Sequence, residues 1–533
     1  MDTILQEVRP ARKSTRQKLR FWIVPFVTQS IMCLLLILIT YFIDKHVDGK
    51  ALNTHLSHFL NDDVGVLANV LGGLTQVAPA ILGLAITVIA IIVEMASNKY
   101  SAKVMDLFVN DPLNFGMMTL FVVSSVNSLW VAHIPTQTFF PFISMMLNAF
   151  LIVICLLLVI PYFNHIFNFL HPHNFIGYVE NQTLKLFDSL TKTDDEGKIE
   201  SIKGKIHENI DFIGDIAINS VVGGDRAVSQ YCTNILKDIN AYYLTVKKNL
   251  PETFFRLSEK ELEDPDFIDF SDFVITTIHK KHIWFERKVF RLLEIIFNLS
   301  RENLRTVASG VLLNTMRIGE KAAVLQDKNL LFATMQQFNT YLRYAINNND
   351  PRTAFNILEH YRNFGETLIS TCPSEVEHVV FYFKYYALEA QKRHVLFILE
   401  TAAHDISRLT EIAYEMNVDI HFELLQQFLK LDQPIEESND NQMSQQELSL
   451  LGVRLAQVKL AAFYIMKDRL DFAKIIFEDL RVEPMSRIHA IREMINLNAS
   501  EEYWEMTGRG INFFYISPEQ RESLTRFFEW FNN

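Results

Sequence analysis

The chain has 533 residues, a net charge of −12, and 49% hydrophobic residues. This length predicts two or three domains. Residues 1–165 hold ten basic and nine acidic residues, and the remainder holds 40 basic and 53 acidic residues. The acidity of the remainder argues against nucleic acid or anionic lipid as its main partner, because either would need a clustered basic face. The four cysteines are isolated, so neither a disulfide framework nor a zinc site is predicted.

Four apolar segments predict four membrane-spanning helices near the N-terminus. The first, residues 21–43, runs 23 residues without a charge, and a helix needs about 20 residues to cross the hydrocarbon core. The others cover residues 64–93, 115–132 and 139–163. The second is long enough to require a tilt, a kink at Pro79 or a start outside the membrane. The third contains four polar residues that are expected to point into a helix bundle: Ser124, Ser125, Asn127 and Ser128.

The charges beside the first span predict its orientation. Residues 1–20 form a basic N-terminus with six Lys or Arg, whereas the loop after the span has only Lys45 and Lys50 among four aspartates. By the positive-inside rule the N-terminus lies in the cytoplasm, and four spans return the chain to the same side. We therefore expect a multi-pass protein of the plasma (inner) membrane. Its transmembrane domain covers residues 21–165, and both termini are cytoplasmic.

The second span carries a regular pattern of small and polar residues. They recur at alternating steps of four and three, which places them along one seam of a helix. The seam consists of Asn69, Gly73, Gln76, Ala80, Gly83, Thr87, Ala90, Glu94, Ser97 and Ser101. Two interpretations remain open. The seam packs closely against another helix, or copies of it line a water-filled pathway with Glu94 at the inner mouth.

The region from about residue 16 to residue 167 resembles a bacterial family of predicted membrane proteins known only as a domain of unknown function. The resemblance is closest where the second span leaves the membrane. The matching positions are Ser97, Tyr100, Ser101, Lys103, Val104, Phe108 and Asp111. The segment NSVVGGDRA, residues 219–227, departs from the family pattern, so nothing is carried over there. The resemblance implies a membrane location and four spans, and it implies no activity.

The rest of the chain is predicted to be helical throughout, which makes the protein all-α. Residues 166–431 form a helical cytoplasmic domain, residues 432–447 an acidic linker, and residues 448–533 a helical repeat-like region. In the last of these, Ala461, Tyr464, Ala473 and Phe477 resemble the helix pair of a tetratricopeptide repeat, and Ala354, Leu358 and Tyr361 suggest an earlier copy. A repeat array and an irregular helical bundle both remain open. Residues 281–345 carry apolar residues at helical spacing, for example Phe290, Leu293, Ile296 and Phe297.

The sequence contains no motif typical of catalysis. It has no phosphate-binding loop, no dinucleotide fingerprint and no nucleophile elbow, and the glycines of GGDR at residues 223–226 lack the lysine of a phosphate cradle. His55 and His58 in the first outer loop stand three residues apart, and we interpret them as surface histidines rather than metal ligands. No catalytic, cofactor or metal site is therefore predicted.

One basic stretch stands out in the acidic portion. It contains Lys280, Lys281, Arg287, Lys288 and Arg291. These side chains either contact lipid head groups or form a solvated helix face.

Taken together, the sequence predicts a membrane protein that is not an enzyme. Its partners are the lipid bilayer, further copies of itself, and a cytoplasmic protein bound by the helical domain, with no role for nucleic acid. The alternative is an oligomeric ion channel, in which the second span lines the pore and the helical domain gates it. A closed ring of copies is needed for a pore, because four spans are too few to enclose a wet path.

Overall fold

The computed structural model divides the chain into two compact units, Met1–Tyr178 and Val179–Asn533. The residues that it describes contain helices and turns and no strand, so the all-α prediction is confirmed. They are residues 15–46, 64–133, 142–431, 443–497, 501, 509–510 and 512–531.

Unit 1 is built from long apolar helices. They are α1 (Thr15–His46), α2 (Val64–Lys99), the short α3 (Lys103–Val109), α4 (Pro112–His133) and α5 (Phe142–Phe169). Four stretches are long and apolar enough to cross a membrane, and they match the four predicted spans: Phe26–His46, Pro79–Lys99, Pro112–Ala132 and Ile143–Phe169. Helix α4 contacts the other three long helices of the unit.

Prolines occur both inside the helices of unit 1 and at the start of the next helix. Helix α2 continues through Pro79 and α5 continues through Pro161. The chain turns at residues 170–171, and Pro172 is the first residue of α6 (Pro172–Leu190). Proline suits a first helical position because the amide hydrogen that it lacks would have no partner there.

The polar residues of the third span point into unit 1. Ser124, Ser125, Asn127 and Ser128 are each at most 6% exposed. Ser128 Oγ donates to Asn148 Oδ1 on α5 at 2.8 Å. In a bilayer these groups cannot bond to water, so the bundle interior is more favourable for them than a face exposed to lipid. The expectation that they face the bundle is confirmed.

Unit 2 continues with helices in every described segment. The larger ones are α7 (Glu196–Val222), α8 (Arg226–Val246), α11 (Trp284–Ser300), α12 (Arg305–Leu325), α13 (Lys328–Asn347), α14 (Pro351–Thr371), α15 (Val376–Lys392), α16 (Leu396–Glu415), α17 (His421–Leu429) and α18 (Met443–Met466). An insertion between α8 and α11 contains α9 (Glu259–Leu262) and α10 (Asp272–Lys281). The chain ends with α19 (Leu470–Leu480), α20 (Met485–Leu497) and α21 (Pro518–Glu529).

These helices stack as two layers. Helices α7, α11, α13, α15 and α17 contact one another in that order and form layer A. Helices α8, α12, α14, α16 and α18 do the same and form layer B, which α21 extends by packing on α18. Each helix therefore contacts its neighbour in sequence and the next helix of its own layer. This is the packing of a helical repeat array, in which each pair of helices buries its apolar side against the next pair.

A shared turn geometry joins many of these helices. At each of these turns one residue has a positive φ. The amide nitrogen of the residue that follows it donates a hydrogen bond to the carbonyl oxygen five positions before that following residue. This bonding pattern caps a helix and reverses the chain at once. The positive-φ residues are Gly224, His282, Gln326, Asn349, His394, Asn417 and Asp468.

The predicted repeat-like pair corresponds to α18 and α19. Ala461, Tyr464 and Ala473 are fully buried, and Phe477 is half-buried. The earlier copy, Ala354, Leu358 and Tyr361, lies on α14 and is at most 1% exposed. Phe290, Leu293, Ile296 and Phe297 are likewise core residues. Residues 443–447 of the predicted linker belong to α18, and its residues 432–442 lie outside the described ranges.

Candidate functional site

The seam of the second span faces outward from unit 1. Gly73, Gln76, Ala80, Gly83, Thr87, Ala90 and Glu94 are exposed, and Ser97 and Ser101 are partly exposed. Asn69 belongs to α2, but its side chain is outside the described part. The buried residues of α2 are instead Ala85, Ile89 and Val93. Because the exposed seam residues do not pack against the other described helices of this unit, the seam remains available to another molecule.

Three of the positions that carry the family resemblance join helices of unit 1 near the connection between α2 and α4. Tyr100 and Phe108 are buried and pack on aromatic rings of the following helices, Tyr100 on Phe175 and Phe108 on Phe169. Asp111 caps α4 through the amide of Asn114 at 2.9 Å, and its Oδ2 lies 2.9 Å from His165 Nε2 on α5. Their role in unit 1 is therefore structural.

Lys288 and Arg287 do not fit the predicted lipid contacts. Lys288 is 1% exposed, and its ammonium binds carboxylates inside unit 2. Arg287 is half-buried and donates to Gln336. Helical periodicity explains the error, because adjacent basic residues point to different sides of a helix. Lys280 is exposed, Lys281 lies over the ring of Phe332, and Arg291 is near Glu294, so for these three the lipid contact remains a prediction.

Lys288 belongs to a buried ion cluster that holds the insertion against layer A. Its Nζ lies 2.5 Å from Asp211 Oδ1 on α7 and 2.6 Å from Asp266 Oδ2 in the insertion. Nearby, Lys203 Nζ lies 2.6 Å from Glu261 Oε2. Although burial alone raises the pKa of Asp264, the adjacent His207 and Lys288 lower that pKa to about 2.

Three members of this region have donor atoms close enough to share a metal ion. The ligand atoms of His207, Asp211 and Asp264 all lie within 4.8 Å of one another. However, Lys288 already places a positive charge 2.5 Å from Asp211 and 3.7 Å from Asp264. A metal ion there would face strong repulsion from this buried ammonium. The cluster is therefore better suited to an internal ion network than to a metal centre.

The second polar site of unit 2 lies where the C-terminal part of the chain crosses layer B. We call residues 509–510 and 512–516 the docked segment, and we call the faces of α14, α16 and α18 that it contacts the docking surface. Arg509 binds Asp405 of α16 through two hydrogen bonds, Nη1 to Oδ1 at 2.6 Å and Nη2 to Oδ2 at 3.0 Å. Its Nη2 also donates to the carbonyl oxygen of Phe355 on α14 at 2.9 Å. Both charged side chains are at most 3% exposed.

Aromatic and backbone contacts continue the docking toward α18. The ring of Phe513 stacks on His404 of α16, with 4.4 Å between centroids and 10° between planes. Lys459 of α18 donates to the carbonyl oxygens of Phe513 and Tyr515, both at 2.9 Å. The docked segment therefore contacts three consecutive helices of layer B, and it leads into α21, which begins at Pro518.

Burial lowers the pKa of three basic side chains at the docking surface. Burial, together with the charge of Arg509, lowers the pKa of His360 to about 4. Burial also lowers the pKa of His404, with Lys459 and Arg509 acting in the same direction. Burial lowers the pKa of Lys459 to about 8, although Glu411 opposes this. The two histidines are consequently neutral at pH 7, and Asp405 faces two arginines, Arg509 and Arg362.

Sequence reasoning missed both polar sites of unit 2. In the ion cluster, His207 and Asp211 stand four residues apart on one helix face, which was a local signal. The docking surface gave no such signal, because Asp405 and Arg509 are 104 residues apart. The histidines considered in the first outer loop, His55 and His58, lie outside the described residues.

Comparison with known proteins supports the membrane assignment. Residues 18–210 match the model of a family described as "Predicted membrane protein (DUF2254)", so the resemblance predicted for residues 16–167 is confirmed and reaches residue 210. No curated protein matches the chain. Among solved structures, a "Circular tandem repeat protein with novel repeat topology and enhanced subunit contact surfaces" aligns at 12% identity and a TM-score of 0.33 over 81% of this chain and 97% of that chain. A likeness this weak says nothing about function.

Proposed function

We propose that this chain is a non-catalytic protein of the inner membrane, with both termini in the cytoplasm, that anchors a helical domain for binding other proteins or further copies of itself. The observation that carries the proposal is the docked segment. Layer B binds a non-helical stretch of polypeptide, which turns between Asn512 and Tyr515, through a buried ion pair, an aromatic stack and two backbone carbonyls. A stacked helical array presents an extended surface suited to such binding.

The buried charges of unit 2 also favour a non-catalytic role. In the ion cluster, Lys288 is paired with Asp211 and Asp266, and Lys203 is paired with Glu261. At the docking surface Asp405 is paired with Arg509. A catalytic group needs access to substrate in a cleft, whereas these groups are held by one another.

Cross-linking of the full chain in native membranes tests the proposal. We expect cross-links from unit 2, either to another protein or to a second copy of the chain. A short amine-reactive cross-linker suits the exposed Lys280, and mass spectrometry identifies the joined peptides. If the chain is monomeric and yields only internal cross-links, the proposed binding function is wrong.

A second candidate is an oligomeric ion channel, favoured by the outward-facing seam of α2. Glu94, Gln76 and Thr87 are exposed on the single chain, and polar groups facing lipid are unfavourable. A ring of copies would turn these residues toward an aqueous axis. The test is ion flux through full-length protein in liposomes. We expect Glu94→Gln to change the flux and Asp106→Asn on α3 to leave it unchanged, and an absence of flux excludes a channel.

A further inference from the structure

We infer that the docking surface is a peptide-binding site, and that it accepts a non-helical segment of a partner protein with an arginine followed four residues later by an aromatic residue. The chain's own Arg509 and Phe513 have this spacing and occupy the surface in cis. The inference rests on the proposed function and names the chemistry of the partner.

The arginine is specified by a buried carboxylate. Asp405 is 2% exposed, lies on the central helix of the surface, and accepts two parallel hydrogen bonds from the guanidinium of Arg509. This two-pronged geometry fits the planar guanidinium and does not fit the ammonium of lysine. The same guanidinium lies 4.3 Å from the centroid of the Phe355 ring, a cation–π contact that also favours arginine.

The aromatic residue is specified by stacking on His404. The imidazole is buried and stacks almost parallel to the Phe513 ring. Backbone contacts begin at the aromatic residue and continue beyond it. Lys459 donates to the carbonyl oxygens of Phe513 and Tyr515, and these contacts do not depend on side-chain identity. The surface therefore recognises two side chains and the backbone carbonyl groups of the segment, as peptide-binding grooves do.

The cis segment leaves polar atoms of the surface without partners. His360 Nδ1 and His404 Nε2 on the surface are buried and have no hydrogen-bond partner among the described residues, and the same is true of Nε of Arg509 in the docked segment. Buried polar atoms without partners weaken a complex. A partner segment that supplies these hydrogen bonds would displace the cis segment.

Fluorescence anisotropy with full-length protein in lipid nanodiscs tests the inference. The probe is a labelled synthetic peptide with the sequence of residues 507–517. The double variant Arg509→Ala/Phe513→Ala removes both cis anchors, so we expect it to bind the peptide at least tenfold more tightly than the unaltered protein. Adding Asp405→Asn to the double variant should abolish this binding, and a control peptide with alanine in place of its arginine should not bind.

Each contrary outcome has a defined meaning. Equal binding with and without Asp405→Asn, or no binding to a double variant that retains its helical circular dichroism, overturns the inference. If the double variant does not fold, Arg509→Lys replaces it, because lysine retains the charge and loses the paired hydrogen bonds; unaltered peptide affinity then overturns the inference. Dimerisation by exchange of C-terminal segments, seen by native mass spectrometry, also overturns the partner assignment. Partner cross-links that persist in Asp405→Asn refute this surface and leave the proposed function standing.

Discussion

Lys288 joins the insertion to layer A through ion pairs with Asp211 and Asp266. Its ammonium is fully buried, while Asp211 is 41% exposed and Asp266 is 11% exposed. Breaking a buried ion pair costs roughly 3–5 kcal/mol, and we expect the lower end because water can reach Asp211. Lys288→Met should therefore lower the stability of unit 2 by about 3 kcal/mol. The measurement is thermal unfolding of the full chain in detergent, followed by circular dichroism.

Lys280→Met provides the matched control for this prediction. Lys280 is exposed and lies eight positions earlier in the same basic stretch. Surface substitutions usually change stability by no more than about 0.5 kcal/mol. A Lys288→Met protein that unfolds at the same temperature as the control would show that the ion cluster does not stabilise the insertion.

His360 makes the docked segment sensitive to acid. Burial lowers the pKa of its imidazole from 6.5 to about 4, so the folded protein keeps the imidazole neutral. Between pH 6.5 and about pH 4 the unfolded chain binds more protons at this residue than the folded protein does. The free energy of unfolding therefore falls as the pH falls through this window. At pH 5 the contribution of His360 lowers the free energy of unfolding by about 2 kcal/mol relative to pH 7.5. Thermal unfolding at both pH values measures it, and His360→Gln should show a smaller loss; an equal loss in the variant would refute the assignment to His360.

At the scale of helices and turns, glycine acts differently at two positions around α7. Gly224 has a φ of +75° at the turn into α8, where a side chain is strained. Gly204 lies inside α7, and a Cβ there would meet nothing within 4 Å. Gly224→Ala should therefore destabilise the protein by about 1–2 kcal/mol, whereas Gly204→Ala should stabilise it by about 0.5–1 kcal/mol. Chemical denaturation of both variants tests the pair, and the same sign of change in both would contradict it.

The sequence was informative where local pattern determines structure. Hydrophobic length identified the four spans, and the buried Ser124 and Asn127 followed from the cost of exposing polar groups to lipid. Helices α2 and α5 continue through Pro79 and Pro161, because a membrane helix can carry proline when its neighbours compensate for the lost hydrogen bond. The turns, in contrast, were missed. Residues as different as Gly224, Gln326 and His394 adopt the same positive φ, so no single residue type marks the repeat.

The two polar sites of unit 2 lay beyond local pattern. Lys288 was grouped with its neighbours in a basic stretch, although helical geometry turns it toward Asp211, 77 positions earlier in the chain. The partner of Asp405 is also distant in sequence. Long-range ion pairs depend on how the layers stack, and a single sequence carries no direct signal of that stacking.

For the whole molecule, the outward-facing seam of α2 makes self-association in the membrane a testable consequence of the sequence. Small residues let helix backbones approach closely in a bilayer, where packing rather than the hydrophobic effect drives association. Gly83 is exposed on the seam, and a Cβ there would meet no described residue within 4 Å. Leu84 is the adjacent residue, is 62% exposed, and lies off the seam. A bulky residue at position 83 should therefore block a second copy without disturbing the fold of the first.

Native mass spectrometry of the full chain released from lipid nanodiscs distinguishes the two outcomes. We expect the unaltered protein to form oligomers, Gly83→Ile to shift the population at least tenfold toward monomer, and Leu84→Ile to leave it unchanged. Since one position separates the two substitutions, they lie at nearly the same depth in the bilayer and differ mainly in the face that they alter. If the unaltered protein is monomeric, neither seam packing between copies nor a pore remains tenable, and the anchor must act as a single chain. If both substitutions dissociate the oligomer equally, association does not depend on the seam.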